Sequence, residues 1–233
     1  MSVTTDAVIV RTLRGAWSSL PALLVASAAL CGLATVALLA APGLNVVAVL
    51  VYAVLGAPLL AALVAVANMV AFEDVATIRA WSSALREHAG FAARHGLLAA
   101  APTVLFLAAL RVWTRAHPFW VLPSLALSGA AAGLAGLGLL ALLPLGVARA
   151  ELRGWRLWTT AGYLVARRPS RFVAVFCLAG VGVWAATSWS ASVLLLLPAP
   201  AALVQAAAVW TTVSEVSEVG AVGSGGIDRR PGR

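Results

Sequence analysis

The histidines are the side chains of this chain whose type and spacing could do chemistry. His88 and His95 are separated by about two helical turns, so a helix would carry both on one side. Two histidines alone do not complete a metal site, which usually needs further cysteine, histidine or acidic ligands. His117 has no comparable partner. We therefore predict no metal ion and no cofactor, and we expect the pair to lie at the lipid headgroups or to cap a helix.

Catalytic motifs do not occur in the sequence. It contains no HExxH, no GxSxG, no P-loop and no pair of carboxylates within an apolar run. The two cysteines, Cys31 and Cys177, lie in separate apolar runs without a disulfide or zinc spacing. We predict that the chain is not an enzyme. An enzyme that acts on headgroups through His88 or His95 remains an alternative.

The apolar composition decides which elements must position these residues. Hydrophobic residues make up 62% of the chain and charged residues only 10%, whereas soluble domains carry about 25% charged residues. From Gly15 to Ala71 no side chain is charged. A helix of about 20 apolar residues crosses a bilayer, and several stretches reach that length. The sequence therefore predicts a polytopic membrane protein.

Uncharged intervals divide the chain into helices. "APGLN" at 41–45, "RVWTRAHPFW" at 111–120 and "TSWSAS" at 187–192 are the breaks between consecutive apolar runs. We predict an all-α bundle of about six transmembrane helices, with amphipathic helices on the cytoplasmic side. The expected spans are residues 18–40, 45–71, 96–113, 119–147, 172–188 and 193–212.

The arginines predict the orientation. All sixteen basic residues are arginine, and the net charge is +8. With the N-terminus inside, every arginine except Arg111 and Arg115 falls on a predicted inner segment or tail, as the positive-inside rule requires. We predict a bacterial inner-membrane protein with both termini in the cytoplasm. The charge then serves topology, and no nucleic-acid partner is expected.

An amphipathic segment at 75–95 gathers charge that is scarce elsewhere. Its apolar and charged residues occupy different sectors of a helical wheel. The apolar ones are Ile78, Trp81, Leu85, Ala89 and Ala92, and the charged ones are Arg79, Arg86, Glu87 and Arg94. Such a helix can lie in the membrane interface with its arginines toward phosphates. We predict an interfacial helix on the inner face.

Similar hexapeptides precede three pairs of spans: "RGAWSS" at 14–19, "RAWSSA" at 79–84 and "RLWTTA" at 156–161. They divide the predicted transmembrane domain, 1–219, into units 1–72, 73–148 and 149–219. Parallel repetition is one interpretation. The other is that tryptophan anchors at membrane boundaries whatever the ancestry of the segment. Residues 220–233, rich in Gly and Arg, are predicted to be a disordered cytoplasmic tail.

Polar and helix-bending residues within the predicted spans are few. The sequence predicts no ionisable side chain at mid-span, where one would suggest ion or proton transport. Gln205 is central in the last span and is expected to form an interhelical hydrogen bond. Pro58 is expected to kink the second span. Gly129 and Gly133 form a small-xxx-small pair suited to close packing of helices. Pro58 and Gln205 are thus the candidates for a cavity or kink.

Three segments carry a family resemblance: "GAPLLAALVAVANMV" at 56–70, "IRAWSSALREHAGFAARHG" at 78–96 and "GYLVARRPSRFVAVF" at 162–176. In these the chain resembles the YesL-like family of small bacterial integral membrane proteins, over most of residues 10–213. It departs from the family in the Ala57 that separates Gly56 from Pro58, and in its fewer phenylalanines. The resemblance implies an accessory role beside carbohydrate ABC transporters and implies no catalytic residues.

The sequence thus favours a non-enzymatic accessory or regulatory partner of a membrane complex such as a carbohydrate ABC transporter. The alternative is a small-solute transporter or channel with a path near Pro58 and Gln205. Anionic lipid headgroups are a further expected partner of the basic segments. The residues expected to contact a partner or lipid are Arg79, Trp81, Arg86, Arg153, Arg156, Arg167 and Arg168.

Overall fold

The computed structural model describes residues 15–41, 45–72, 75–149, 151–188 and 193–224. Their secondary structure is helical, without a strand in these ranges. A π-helical turn, Tyr52–Gly56, and a 3₁₀ turn, Phe119–Val121, connect longer helices. The α-helices are α1 Leu20–Ala40, α2 Val46–Val51, α3 Ala57–Ala71, α4 Ile78–Ala116, α5 Leu122–Ala148, α6 Trp155–Arg167, α7 Pro169–Ser188, α8 Val193–Leu196 and α9 Pro198–Ser224.

Four helical stretches of the described chain are long and apolar enough to cross a membrane: Leu20–Ala37, Val46–Ala71, Ile78–Ala116 and Phe119–Ala148. The prediction of an all-α protein with membrane-length helices is therefore confirmed. The apolar stretch of α7, Pro169–Gly182, is shorter. The count of six spans stays a prediction.

Capping residues explain where two of the helices begin. The Asn45 side chain accepts a hydrogen bond from the Ala48 amide at 2.8 Å, and Thr77 accepts one from Ala80 at 3.2 Å. Each supplies an acceptor to a backbone donor that has no partner within the helix. The break predicted at 41–45 is thus confirmed. The charged residues 73 and 74 lie outside the described residues.

The π-helical turn lies where Pro58 was expected to bend the second span. The Ala57 amide donates to the carbonyl of Tyr52, five residues back, and Pro58 follows within the first turn of α3. A proline ring clashes with the carbonyl four residues before it and offers no N–H. A wider turn relieves that conflict without ending the helix. Pro58 itself is buried.

The helix α4 differs from the sequence prediction. An interfacial helix over 75–95 and a separate span over 96–113 were expected, whereas one helix of 39 residues covers both. At 1.5 Å per residue it is about 58 Å long, nearly twice the ~30 Å hydrocarbon core. The glycines of this segment cost only about 1 kcal/mol each in a helix. They do not interrupt it.

The close approach of α4 to α3 fixes the direction of residues 78–95. A Cβ on Gly96 would lie 2.6 Å from the carbonyl oxygen of Ala53 and 2.7 Å from the Cβ of Ala57. From this crossing the first half of α4 runs back along α3, whose buried face includes Leu63, Val66 and Val70. The segment therefore packs beside α3 as part of a longer helix, and its placement at the membrane interface stays a prediction.

The C-terminal helix also extends further than expected. We predicted that the disordered tail begins at residue 220, but α9 continues to Ser224. The Val and Ala residues at 219, 221 and 222 maintain a helix-compatible sequence across Gly220. The remainder of the predicted tail, 225–233, lies outside the described residues.

Replacing Gly96 tests the helix crossing. Gly96→Ala should lower the thermal midpoint of the detergent-solubilised protein, because overpacking against backbone costs about 1–3 kcal/mol. Gly90→Ala on the same helix is the matched control, since a Cβ there meets no atom within 4 Å. It should leave the midpoint unchanged or raise it through better helix propensity. Equal effects of the two substitutions would contradict the close contact.

Candidate functional site

A cleft of about 440 Å³ opens between the first half of α4, the end of α5 and the loop before α6. We call it the histidine cleft. Its lining combines acidic, basic, imidazole and aromatic side chains with glycines that leave room between them. The lining residues are Glu87, His88, Gly90, Phe91, Arg94, His95, Gly146, Leu152, Arg153 and Gly154.

His95 is the buried polar group of the cleft, with 6% of its surface exposed. Its Nδ1 accepts a hydrogen bond from the indole Nε1 of Trp158 at 3.0 Å, and its ring meets the edge of Phe91. An indole N–H only donates, so Nδ1 is unprotonated and Nε2 carries the proton. Among the described residues Nε2 has no hydrogen-bond partner. The cleft therefore contains a preset, unused donor.

The histidine cleft reaches unusually deep into the bundle. Arg94 and His95 directly precede Gly96, which contacts Ala53 and Ala57 near the middle of the membrane-length stretch Val46–Ala71. On the other side the cleft is lined by Gly146, close to the end of the membrane-length stretch Phe119–Ala148, and by residues of the loop before α6. The cleft therefore extends from the end of one membrane-length stretch toward the middle of another, and the absence of ionisable side chains at mid-span stays a prediction.

Glycines of α5 admit the aromatic walls of the site. A Cβ on Gly146 would lie 2.2 Å from the Phe91 ring, and one on Gly138 would lie 3.0 Å from the ring of Trp158. Both rings in turn hold His95. Gly129, one of the predicted small-xxx-small pair, would meet Phe106 of α4 at 3.1 Å, whereas Gly133 meets nothing within 4 Å. The close packing at Gly129 is thus within the chain.

A second cleft, of about 500 Å³, adjoins the first and shares Glu87 and His88 with it. Asn68 lines it and connects three helices. Its Nδ2 donates to the carbonyl of Pro144 at 3.0 Å, and its Oδ1 accepts from Trp210 Nε1 at 2.9 Å. This amide is satisfied on both sides, so it positions helices and is not available to a ligand there.

Gln205 repairs a defect that a proline creates in α5. Pro144 has no N–H and therefore leaves the carbonyl of Leu140, four residues earlier, without its usual intrahelical donor. Gln205 on α9 donates to that carbonyl at 2.8 Å and is only 2% exposed. The expected interhelical hydrogen bond is confirmed. Gln205 is occupied by packing and does not line either of the two clefts described above.

An ion-pair cluster joins the start of α7 to α9. Arg171 donates to Glu215 and, at 3.1 Å each, to the hydroxyls of Thr211 and Thr212. Arg168 donates to the other oxygen of the same carboxylate at 3.1 Å. The hydrogen bond from Arg171, followed by that from Arg168, holds the pKa of Glu215 below its usual value. This cluster fastens α9 to α7.

The structure divides the predicted contact arginines by environment. Arg79, Arg86 and Arg156 are exposed. Arg153 lines the histidine cleft. Arg167 donates to the Tyr163 hydroxyl at 2.8 Å, while Arg168 is committed to Glu215. Among the described residues, no contact between these arginines joins them into one surface.

The role of Trp81 as a lipid or partner contact stays a prediction. Its side chain is partly buried and packs against the core, with Nε1 buried and without a hydrogen-bond partner among the described residues. Ala92, from the same apolar sector, is fully buried, whereas Ile78 is 48% exposed. The apolar face of this segment thus packs partly on protein, because residues 78–95 continue as part of α4 beside α3.

The sequence did not predict two features of the structure, the histidine cleft and the ion pair between Arg171 and Glu215. Within the described chain no group of three or more histidine, cysteine or acidic side chains could hold a metal ion. The sequence signal for the cleft was that a charged residue precedes each histidine, in Glu87–His88 and Arg94–His95, two helical turns apart. The Arg171–Glu215 pair was signalled by being the charges that bound the last uncharged interval.

Comparison of the chain with protein-family models, curated proteins and solved structures finds no match. The resemblance to the YesL-like family therefore stays a prediction. The fold and the site define the class: an all-helical protein with membrane-length helices and a charged cleft beside one of them.

The repair of the α5 carbonyl predicts a specific coupling between two residues. Gln205→Leu should lower the thermal midpoint, because it leaves the Leu140 carbonyl unsatisfied at a cost of about 1–3 kcal/mol. Pro144→Ala restores an N–H that bonds Leu140 within the helix. In that background Gln205→Leu should have a clearly smaller effect. Equal effects in both backgrounds would show that Gln205 stabilises the fold in another way.

Proposed function

We propose that the chain is a non-enzymatic multi-pass membrane protein that docks on another membrane complex through its arginine-rich end. This end is defined by the exposed residues Arg79, Arg86 and Arg156, together with Arg153, Arg167 and Arg168. The partner surface would be acidic. Charge complementarity of this kind directs which proteins associate and in which orientation.

One observation carries the proposal: the exposed positive charges of Arg79, Arg86 and Arg156 are not neutralised by an ion pair within the described residues. Arg79, Arg86 and Arg156 form no ion pair there, whereas Arg168 and Arg171 share Glu215. Each arginine near an anionic leaflet contributes about 1 kcal/mol to membrane attraction. Lipid binding is therefore the competing explanation for the same charge, and the experiment below separates the two.

The resemblance to the YesL-like family suggests the kind of complex. It favours a carbohydrate ABC transporter in a bacterial inner membrane, with this chain as an accessory or regulatory subunit. The arginine-rich end would then face the cytoplasm, where the energy-supplying parts of such transporters lie.

Six spans complete the proposed arrangement. Four helical stretches have sufficient length and hydrophobicity by themselves. The additional two are α7, with its apolar stretch Pro169–Gly182, and α8 with α9. An even number of spans keeps both termini and the arginine-rich end on the same side, in agreement with the positive-inside rule.

A small-solute transporter is the second candidate. The route expected near Pro58 and Gln205 loses support, since both residues are buried and Gln205 is hydrogen-bonded. The histidine cleft instead favours this candidate, because it places charged side chains beside the membrane-length stretch Val46–Ala71. Uptake of a solute by liposomes containing only this chain would support transport over docking.

Reporter fusions test the topology. Reporters after residues 76, 151 and 233 should give cytoplasmic signals, and those after 117 and 190 should give periplasmic signals, because the basic segments stay inside. Each position is fused to two reporters, one active only in the cytoplasm and one active only in the periplasm, so that either location gives a positive signal. A cytoplasmic signal at 190 together with those at 151 and 233 would exclude the last two spans. Opposite signals at 151 and 233 would mean an odd number of spans between them.

Charge reversal tests docking. The variant Arg79→Glu, Arg86→Glu, Arg156→Glu should reduce recovery of the partner from native membranes in mild detergent by about tenfold, or ~1.4 kcal/mol. Quantitative mass spectrometry measures the recovery. Arg111→Glu with Arg115→Glu, also exposed, is the matched control from the opposite end.

The same reporter fusions verify that the variants keep their topology. Docking is contradicted if the wild-type chain purifies without a stoichiometric protein partner. It is equally contradicted if both variants retain the partner alike. Loss of binding to anionic vesicles, with partner recovery unchanged, would assign these arginines to lipid.

A further inference from the structure

We propose that the histidine cleft binds the headgroup of one phospholipid molecule, with its acyl chains along α4. The phosphate would lie against Arg94, Arg153 and the Nε2 donor of His95. The site shares Arg153 with the arginine-rich end, but Glu87, Arg94 and His95 do not belong to that end. The substitutions that test the site therefore leave the docking residues unchanged.

The cleft has the donors that a phosphate requires. Arg94 is exposed to it and forms no ion pair within the described residues. Arg153 lines the facing wall, on the loop before α6. His95 adds a buried N–H whose direction is fixed by the bond from Trp158 at 3.0 Å. Guanidinium groups bind phosphate oxygens with charge-assisted hydrogen bonds.

Glu87 indicates which headgroup fits best. It lines the same cleft two helical turns before Arg94, and it also forms no ion pair within the described chain. A carboxylate repels a purely anionic headgroup but attracts an ammonium group. A phosphate flanked by an ammonium group satisfies both signs of charge. The arrangement therefore favours a phosphoethanolamine headgroup over a phosphoglycerol headgroup.

An apolar surface continues from the cleft along α4. Leu97, Leu98 and Leu105 are 42%, 55% and 64% exposed. They follow Arg94 by three, four and eleven residues, so they share its face of the helix. A soluble phosphate compound has no use for such a surface. Acyl chains would cover it, which identifies a lipid as the occupant.

The depth of the charges supplies a further reason for a bound lipid. Arg94 lies within the membrane-length stretch Ile78–Ala116, two residues before the Gly96 that packs against Ala57 of α3. An ionised side chain within a membrane-spanning segment is costly unless it is paired or hydrated. A phosphate held at the cleft would pair the arginine. The acyl chains of the lipid would cover the exposed leucines of α4.

Binding to the purified, delipidated full-length chain tests the proposal. The probes are phosphatidylethanolamine and phosphatidylglycerol with identical acyl chains, phosphoethanolamine without chains, and inorganic phosphate. Native mass spectrometry of lipid titrations gives the affinities of the lipids, and isothermal calorimetry gives those of the soluble probes. We expect phosphatidylethanolamine to bind most tightly and both soluble probes at least tenfold more weakly.

Three substitutions separate the parts of the site. Arg94→Gln should weaken both lipids about tenfold, the value of one charge-assisted hydrogen bond. Glu87→Gln should weaken phosphatidylethanolamine but not phosphatidylglycerol. Leu98→Asn should weaken both lipids without affecting the soluble probes. The controls are Arg111→Gln, exposed on the same helix outside this cleft, and Val36→Asn, exposed on α1.

Each remaining outcome overturns the proposal. If inorganic phosphate binds as tightly as the lipids and Leu98→Asn changes nothing, the cleft is a site for a soluble phosphate. If Arg111→Gln weakens lipid binding as much as Arg94→Gln, the lipid is attracted by general charge. If no probe binds the folded, monodisperse protein, the cleft is not a phospholipid site. Loss of docking leaves all three comparisons unchanged.

Discussion

A backbone carbonyl inside an apolar bundle must find a donor, and this constraint governs how the helices of this chain associate. Pro144 removes the donor that Leu140 would have had, and Gln205 replaces it from another helix. Asn68 likewise joins the Pro144 carbonyl to Trp210. Few polar side chains occur in the spans. Gln205 and Asn68 each donate a hydrogen bond to a backbone carbonyl of α5, and Asn68 also accepts one from Trp210. The helices are therefore held in register by specific hydrogen bonds as well as by packing.

Glycine contacts determine how deep the charged half of α4 lies. The crossing at Gly96 sets Ala53 and Ala57 beside it, and Gly146 and Gly138 make room for the rings of Phe91 and Trp158. Because those rings surround His95, small residues on three helices combine to build one polar cleft. The histidine cleft is a consequence of close helix packing. A bulkier residue at Gly146 would close it by displacing Phe91.

The sequence predicted the helical class, the break before Val46 and the bonding role of Gln205, because each depends on local composition or on a single polar group in an apolar run. It did not predict that residues 78–95 continue as α4. Amphipathic periodicity looks the same whether the apolar face meets lipid or a neighbouring helix, and only the crossing at Gly96 distinguishes them. The pairing of Arg171 with Glu215 depends on the distance between α7 and α9 in space, which local patterns do not contain.

The bond between Gln205 and Leu140 also has a consequence for biosynthesis. The acceptor is made 65 residues before its donor, and every membrane-length stretch found in the described chain precedes α9. Until α9 emerges from the ribosome, the Leu140 carbonyl, which Pro144 leaves without an intrahelical donor, lacks its hydrogen bond from Gln205. The early helices can therefore insert and associate, but their final register is locked only when the last one arrives. A chain truncated before Gln205 should present an incomplete bundle to the membrane's quality-control proteases, whatever the stability of its earlier helices.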